Sequence, residues 1–75
     1  MKISVKIIGH LIYDAGFSEK EFEFSNPPTA DQLLSLIHIK KNYPKIIVRN
    51  AKAITPEETL EDGDRVVISP LYSGG

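Results

Sequence analysis

A chain of 75 residues with 41% apolar and 25% charged side chains makes one small domain. Nine basic residues against ten acidic ones leave a net charge of -1, which gives no general electrostatic pull toward nucleic acid or an anionic membrane. With no cysteine, neither a disulfide nor a thiolate zinc site can form, and no apolar run approaches the ~20 residues of a membrane span.

So short a chain buries only about 60% of its unfolded surface and depends on good packing. Its first residues, MKISVKII, alternate like a strand and lack the apolar segment of a signal peptide, so the expected compartment is the cytoplasm. Over residues 2–8, Ile3, Val5 and Ile7 fall on one face and Lys2, Ser4 and Lys6 on the other, the period of a half-buried strand; Ile8 is apolar on the polar face. Residues 9–18 form a connector whose Leu11, Ile12 and Tyr13 are too apolar for a bare turn, which predicts a short helical turn or a folded-over loop. Residues 20–24 alternate again, with Phe22 and Phe24 inward.

Asn26-Pro27-Pro28 ends that strand, since proline supplies no ladder N–H. Thr29 then reads as an N-cap, with Gln32 completing a capping box and Asp31 at the positive end of the helix dipole. Leu33, Leu34 and Ile37 make the apolar face, Lys40 and Lys41 suit the negative end, and Pro44 blocks continuation. Residues 45–49 predict a strand with Ile46 and Val48 inward and Lys45, Ile47 and Arg49 outward. Asn50 and Ala51 turn the chain into a very short strand at 52–54. Leu60 anchors the following loop, Gly63 takes the positive φ of a turn, and residues 65–69 form the last strand with Val66 and Ile68 inward and Val67 outward. The order strand, strand, helix, strand, short strand, strand describes a two-layer α+β domain, a mixed sheet of four to five strands on one main helix. The crossover through the helix lets the first and last strands be parallel neighbours. The expected body is residues 1–69, followed by a tail at 70–75.

The tail reads Pro70-Leu71-Tyr72-Ser73-Gly74-Gly75. Two terminal glycines can stay extended and thread a narrow channel, bringing a carboxylate to another protein's active site with nothing bulky beside it. The bland reading is a chain that ends in disordered small residues. Other candidates carry less. His10 and His38 lack carboxylates at ligand spacing, Ser18 and Ser35 lack the context of a hydrolytic nucleophile, and Asp62 and Asp64 are most simply turn residues. Lys40, Lys41 and Lys45 read as a solvated helix end, and an RNA-binding role lacks interleaved exposed aromatics.

The run Thr59-Leu60-Glu61-Asp62-Gly63-Asp64-Arg65-Val66 followed by Pro70-Leu71-Tyr72-Ser73-Gly74-Gly75 resembles the T-x-L-x-D-G-D-x-V turn and Gly-Gly ending of the small sulfur carriers ThiS and MoaD and their archaeal ubiquitin-like relatives. The resemblance implies a ubiquitin-like β-grasp fold. It implies a carrier protein, not an enzyme, whose terminal Gly75 is adenylated by an ATP-dependent enzyme of the ubiquitin-activating type and converted to a thiocarboxylate, with Gly74 and Ser73 giving passage. It implies no cofactor bound to this chain, with ATP used by the partner enzyme. The sulfur acceptor would be a thiazole synthase, the large subunit of molybdopterin synthase, or a tRNA base. The same adenylate could instead join the chain to lysines as a protein modifier, and a plain binding module is the reading from another class. The connector is closer to MoaD, the single helix and length to ThiS, so the resemblance chooses no pathway. In a β-grasp sheet the first, third and last strands are central neighbours, so Ile8, Ile47 and Val67 would cluster near Leu71 and Tyr72 as a docking patch for the partners. The free protein is expected to be a monomer.

Overall fold

The computed structural model describes residues 1–40 and 42–71. Its elements are β1 (Lys2–Ile7), α1 (Leu11–Ala15), β2 (Glu19–Glu23), α2 (Ala30–Leu36), β3 (Lys45–Arg49), β4 (Lys52–Ile54) and β5 (Arg65–Pro70). They build a five-stranded sheet of order β2-β1-β5-β3-β4. β1 and β5 are parallel and every other pair is antiparallel. This is the mixed α+β sheet expected, with the last strand at its centre.

The alternation of β1 is realised strictly: Ile3, Val5 and Ile7 are buried while Lys2, Ser4 and Lys6 are exposed. The connector makes a helical turn, α1, closed by Gly16 in the left-handed region. Leu11 on that turn enters the core. Thr29 caps α2 as its sequence requires. The Gln32 N–H donates to Thr29 Oγ1 at 3.1 Å, and the Thr29 N–H donates to Gln32 Oε1 at 2.9 Å.

The end of α2 differs from expectation. The helix stops at Leu36, so Lys40 lies beyond its last turn, and Lys41 falls outside the described residues. His38 takes a φ of 64°, its N–H donates to the Ser35 carbonyl at 3.4 Å, and the Ile39 N–H donates to the Leu34 carbonyl at 3.2 Å. That pair of bonds is a Schellman closure with histidine where glycine is usual. It carries Ile39 back over Leu34, and both are buried.

β3 presents the opposite face from the one predicted. Ile47, expected outward, is 4% exposed and lies opposite Ile68 and Ile54, whereas Ile46 is 38% exposed. Val48, expected in the core, is only half-buried, on the other face. Three consecutive apolar residues leave the phase of this strand to its flanking charges, and the flanks mislead. Lys45 and Arg49 share the core-facing side but stand at its margins, where long side chains send their charged ends to the periphery. The Lys45 Nζ donates to the carbonyls of Lys40 and Tyr43, at 3.2 and 3.1 Å. Arg49 donates to the Thr59 carbonyl at 2.8 Å and pairs with Glu58 at 3.4 Å. Ile47, between them, covers the core.

The core therefore joins Ile3, Val5 and Ile7 of β1, Val66 and Ile68 of β5 and Ile47 of β3 to Leu33 and Leu34 of α2, with Leu11, Ala30, Ile37, Ile39 and Leu60 completing it. Phe22 and Phe24 flank it, half-buried. Asn50 and Ala51, with φ of 50° and 74°, form a two-residue turn between β3 and β4. Asn50 also ties that turn to the one before β5. Its Nδ2 donates to Asp64 Oδ1 at 3.1 Å, and its Oδ1 accepts the Arg65 N–H at 2.9 Å. Asp64, 6% exposed, accepts the Glu61 N–H at 2.7 Å, and Asp62 accepts the Lys2 N–H at 2.6 Å. Asp64 thus holds turn backbone, and Asp62 ties that turn to the start of β1.

Candidate functional site

Tyr72, Ser73, Gly74 and Gly75 lie outside the described residues, so the site is built from the point where the tail begins. β5 is the central strand, and Pro70 is its last residue. The ladder sets Pro70 opposite Lys45 of β3, and the Leu71 N–H donates to the Pro44 carbonyl at 3.2 Å. On the β1 side, Gly9 follows the strand with a φ of 68°; a Cβ there would stand 3.3 Å from Pro70 Cγ, closer than packed atoms comfortably come. Leu71 is 49% exposed. The tail thus starts between two walls, residues 8–10 and 43–45.

The face of the sheet turned away from α2 splits into two halves. Across one row the register runs Glu19, Lys6, Val67, Val48, Ala53. The next row toward the tail places Ile46 opposite Ser69, and the Ile8 N–H continues the parallel ladder to the Ile68 carbonyl at 2.9 Å. The β2–β1 half carries Lys2, Ser4 and Lys6 opposite Glu23, Glu21 and Glu19. The β5–β3 half carries Val67, Val48 and Ile46, with Ile8 beside them. Of the expected cluster, Ile8 and Val67 come together on this face near Leu71, and Ile47 does not. Ile46 and Val48 take its place. The signal that could have found them is the apolar run itself, since whichever of its residues faces inward, the others are left outside.

Among the described residues, Lys45 is the titratable group that burial alters. Desolvation beside the tail root lowers its pKa below the usual lysine value, and the Asp31 carboxylate acts in the opposite direction. A second feature had no sequence signal at all: His10 Nε2 and the Tyr43 hydroxyl form a hydrogen bond across the tail root. His38 serves the closure of α2. Among the described residues no three histidine or carboxylate side chains converge on a metal-sized site, and no helix is long and apolar enough to cross a membrane. A groove of 650 Å³ between the β2–α2 loop and α2, lined by Phe24, Pro27, Asp31 and Leu36, lies at the opposite end of the sheet from the tail, where Glu23 pairs with Lys2.

A five-stranded mixed sheet with a parallel central pair, packed on one principal helix and with its last strand at the centre, defines a ubiquitin-like β-grasp protein. The chain belongs to the ThiS family, whose model matches residues 5–75. Among solved structures it is similar to a molybdopterin converting factor subunit 1 protein from Pyrococcus furiosus, at 26% identity over 93% of this chain and 97% of that one, with a TM-score of 0.78. It is similar in fold to SAMP1 from Haloferax volcanii, at 18% identity over 100% of both chains, TM-score 0.74. It is likewise similar in fold to a chain in the complex of subunits 1 and 2 of the molybdopterin-converting factor from Helicobacter pylori, at 20% identity over 100% of both chains, TM-score 0.66. No match was found among curated protein sequences. The family makes the chain a small sulfur carrier or ubiquitin-like modifier, a class of generally non-catalytic proteins.

Proposed function

We propose that this protein carries sulfur as a thiocarboxylate on Gly75 and acts as the substrate, not the catalyst, of its own activation. The observation that carries the reading is the placement of the tail root. The central strand β5 ends at Pro70, and the half-exposed Leu71 follows it, bonded to Pro44 and lining one groove with the exposed apolar Ile46, on the face that also bears Ile8. A partner that covers this apolar face also meets the first residue of the tail. Removing such a face from water contributes roughly 25 cal/mol per Å², while the tail supplies the reacting group.

The chemistry follows from the carboxylate. An ionised carboxylate resists nucleophiles until one oxygen becomes part of a leaving group. Attack of that oxygen on the α-phosphorus of ATP releases pyrophosphate and leaves an acyl-adenylate. A persulfide's outer sulfur can then attack the acyl carbon and displace AMP, giving an acyl disulfide. A second thiol that cleaves the persulfide's own sulfur–sulfur bond, pairing with the donor sulfur as a disulfide, frees the thiocarboxylate. ATP belongs to an adenylating partner of the ubiquitin-activating type. Gly74 and Ser73 place no bulk beside the reacting carbon. The acceptor is a synthase subunit; the Helicobacter pylori complex of subunits 1 and 2 supports a partner of that kind. The net charge of -1 favours protein partners over nucleic acid.

The test is intact mass after incubation with ATP, an adenylating enzyme and a persulfide donor. Exchange of one oxygen for one sulfur at the C-terminus is the expected result. Attachment of the whole chain to lysines of another protein would establish the modifier instead, and an unchanged mass with every tested enzyme would leave a binding module.

A further inference from the structure

Gly9 and His10 follow β1, Tyr43 and Pro44 precede β3, and β5 lies between these two strands. Strands two positions apart are separated by about 10 Å. His10 and Tyr43 close that distance with their side chains. Nε2 bonds the phenol hydroxyl, and the rings meet edge to face with centroids 5.6 Å apart and planes at 68°. His10 occupies the N-cap position of α1, yet its side chain makes no capping bond there; it reaches across to Tyr43 instead. Tyr43 packs against the hydrophobic cluster, so the bridge crosses the end of β5 on the core side. The loop that presents Tyr43 is itself held, since the Lys45 Nζ donates to the Tyr43 and Lys40 carbonyls and the Pro44 carbonyl accepts the Leu71 N–H.

The bond is exposed. Exposed hydrogen bonds contribute little net stability, because water competes for both partners. Its effect is therefore local: it sets the spacing of the two walls between which the chain leaves the sheet. We propose that His10 and Tyr43 form a positioning clasp for the tail, closing the core side of its root so that Leu71 emerges toward the face bearing Ile8, Ile46 and Val67. The proposal rests on the reading of the tail as the adenylated group. A root already held in one direction loses less freedom when a partner grips the tail, so the clasp acts on recognition. The reacting carbon lies further on, past Tyr72, Ser73 and Gly74, so the clasp leaves the chemical step alone.

The experiment uses Tyr43→Phe, which keeps the ring and removes the hydroxyl, His10→Leu, and the two combined. One readout is amide hydrogen exchange at Leu71 in the protein alone, with Val5 and Ile68 as internal references. The other is KM against kcat for ATP-dependent adenylation by an enzyme that accepts the wild-type protein. Each single change is expected to speed Leu71 exchange and raise KM about threefold to tenfold, with kcat and the reference amides unchanged and the double variant no worse than either single one. His10→Gln, which keeps a side-chain donor and acceptor, should recover part of the KM. Unchanged Leu71 exchange and KM in both single variants would overturn the clasp, as would slower and faster amides shifting together across the sheet, the sign of a purely structural pair. A wild-type protein that no tested enzyme adenylates would instead remove the carrier reading, while the exchange measurement would still decide whether the pair holds the root.

Discussion

Val48 stands directly opposite Val67 in the antiparallel β3–β5 ladder, on the face of the sheet turned away from α2, where each half-covers the other. Their pairing places the neighbouring Ile47 on the core side, opposite Ile68. Ile47→Asp should therefore unfold the protein or cost at least ~3 kcal/mol, because a carboxylate would be forced into an apolar interior. Ile46→Asp on the other face should leave stability within about 0.5 kcal/mol. It should weaken association with an adenylating partner by desolvating an unpaired charge at the contact. Thermal unfolding and a binding titration on the two variants read both arms. A reversed order, with Ile46→Asp the costly change, would show that the strand has the other phase.

Leu34 of α2 and Ile68 of β5 are buried members of one cluster, contributed from the two layers. Truncating either to alanine should cost ~2–5 kcal/mol, the sum of lost transfer energy and the cavity left behind. Against the ~5–15 kcal/mol stability of a small domain, either change is visible as a large drop in the urea midpoint. Both midpoints staying in place would mean that the core is elsewhere.

Much of this architecture was legible because local signals agreed with one another. In β1 the charges and the apolar residues have the same period, and Thr29 and Gln32 state the start of α2 in their own chemistry. The sequence misled where two local signals competed or where the decisive contact was distant. Lys45 and Arg49 outvoted Ile47 in the phase of β3 because nothing local shows that their ends reach the carbonyls of Lys40, Tyr43 and Thr59. The end of α2 was missed because His38, not glycine, takes the left-handed position. The candidate site was read in two parts: its apolar partners Ile8 and Val67 from broken alternation, and its tail from the ending of the chain. The bond from His10 to Tyr43 joins residues 33 positions apart and leaves no periodic trace.

Asp64 concentrates the bonds that lock the turn before β5. Its carboxylate accepts from the Glu61 N–H and from Asn50 Nδ2, and it lies 3.9 Å from Arg49. Asp64→Ala would leave two part-buried donors, the Glu61 N–H and Asn50 Nδ2, without their acceptor and loosen the link between two turns, at an expected cost of ~1–3 kcal/mol. Asp62→Ala, whose carboxylate accepts the single exposed Lys2 N–H, should cost less. Chemical denaturation of the pair orders them. A milder effect at Asp64 than at Asp62 would contradict the turn's bond pattern.

Ala51 holds a φ of 74° in the β3–β4 turn, a region that L-residues with a Cβ enter at a cost of roughly 1 kcal/mol. Ala51→Gly should relieve it. Because glycine also loses more entropy on folding, the net gain should be about 0.5 kcal/mol, read as a small rise in the denaturation midpoint. A fall would show that the turn is not of the two-residue primed type.

The last prediction concerns Gly75 itself. A terminal carboxyl titrates near ~3.5 and is ionised at neutral pH, so without ATP it is a poor electrophile. The ten side-chain carboxylates all belong to the folded body: Asp64 is spent on turn backbone, Asp62 on the Lys2 N–H of β1, Glu58 on Arg49 and the Thr55 N–H, Glu19, Glu21 and Glu23 stand on a β-strand surface, and Asp14, Asp31, Glu57 and Glu61 lie on helices and loops. None of them stands on a stalk free of side chains. Deleting Gly75 should therefore abolish ATP–pyrophosphate exchange by an adenylating enzyme that accepts the intact protein, and leave thermal stability unchanged, because the core stops at Ile68. A phenylalanine appended after Gly75 should do the same for a different reason: the carboxylate survives, but a bulky side chain now stands beside it where a narrow channel must pass. If the deleted and the extended proteins both kept full exchange, activation would not involve this glycine and the carrier reading would fail. If only the extended protein kept it, the carboxylate would still be the reacting group, but the channel would be wider than two glycines require.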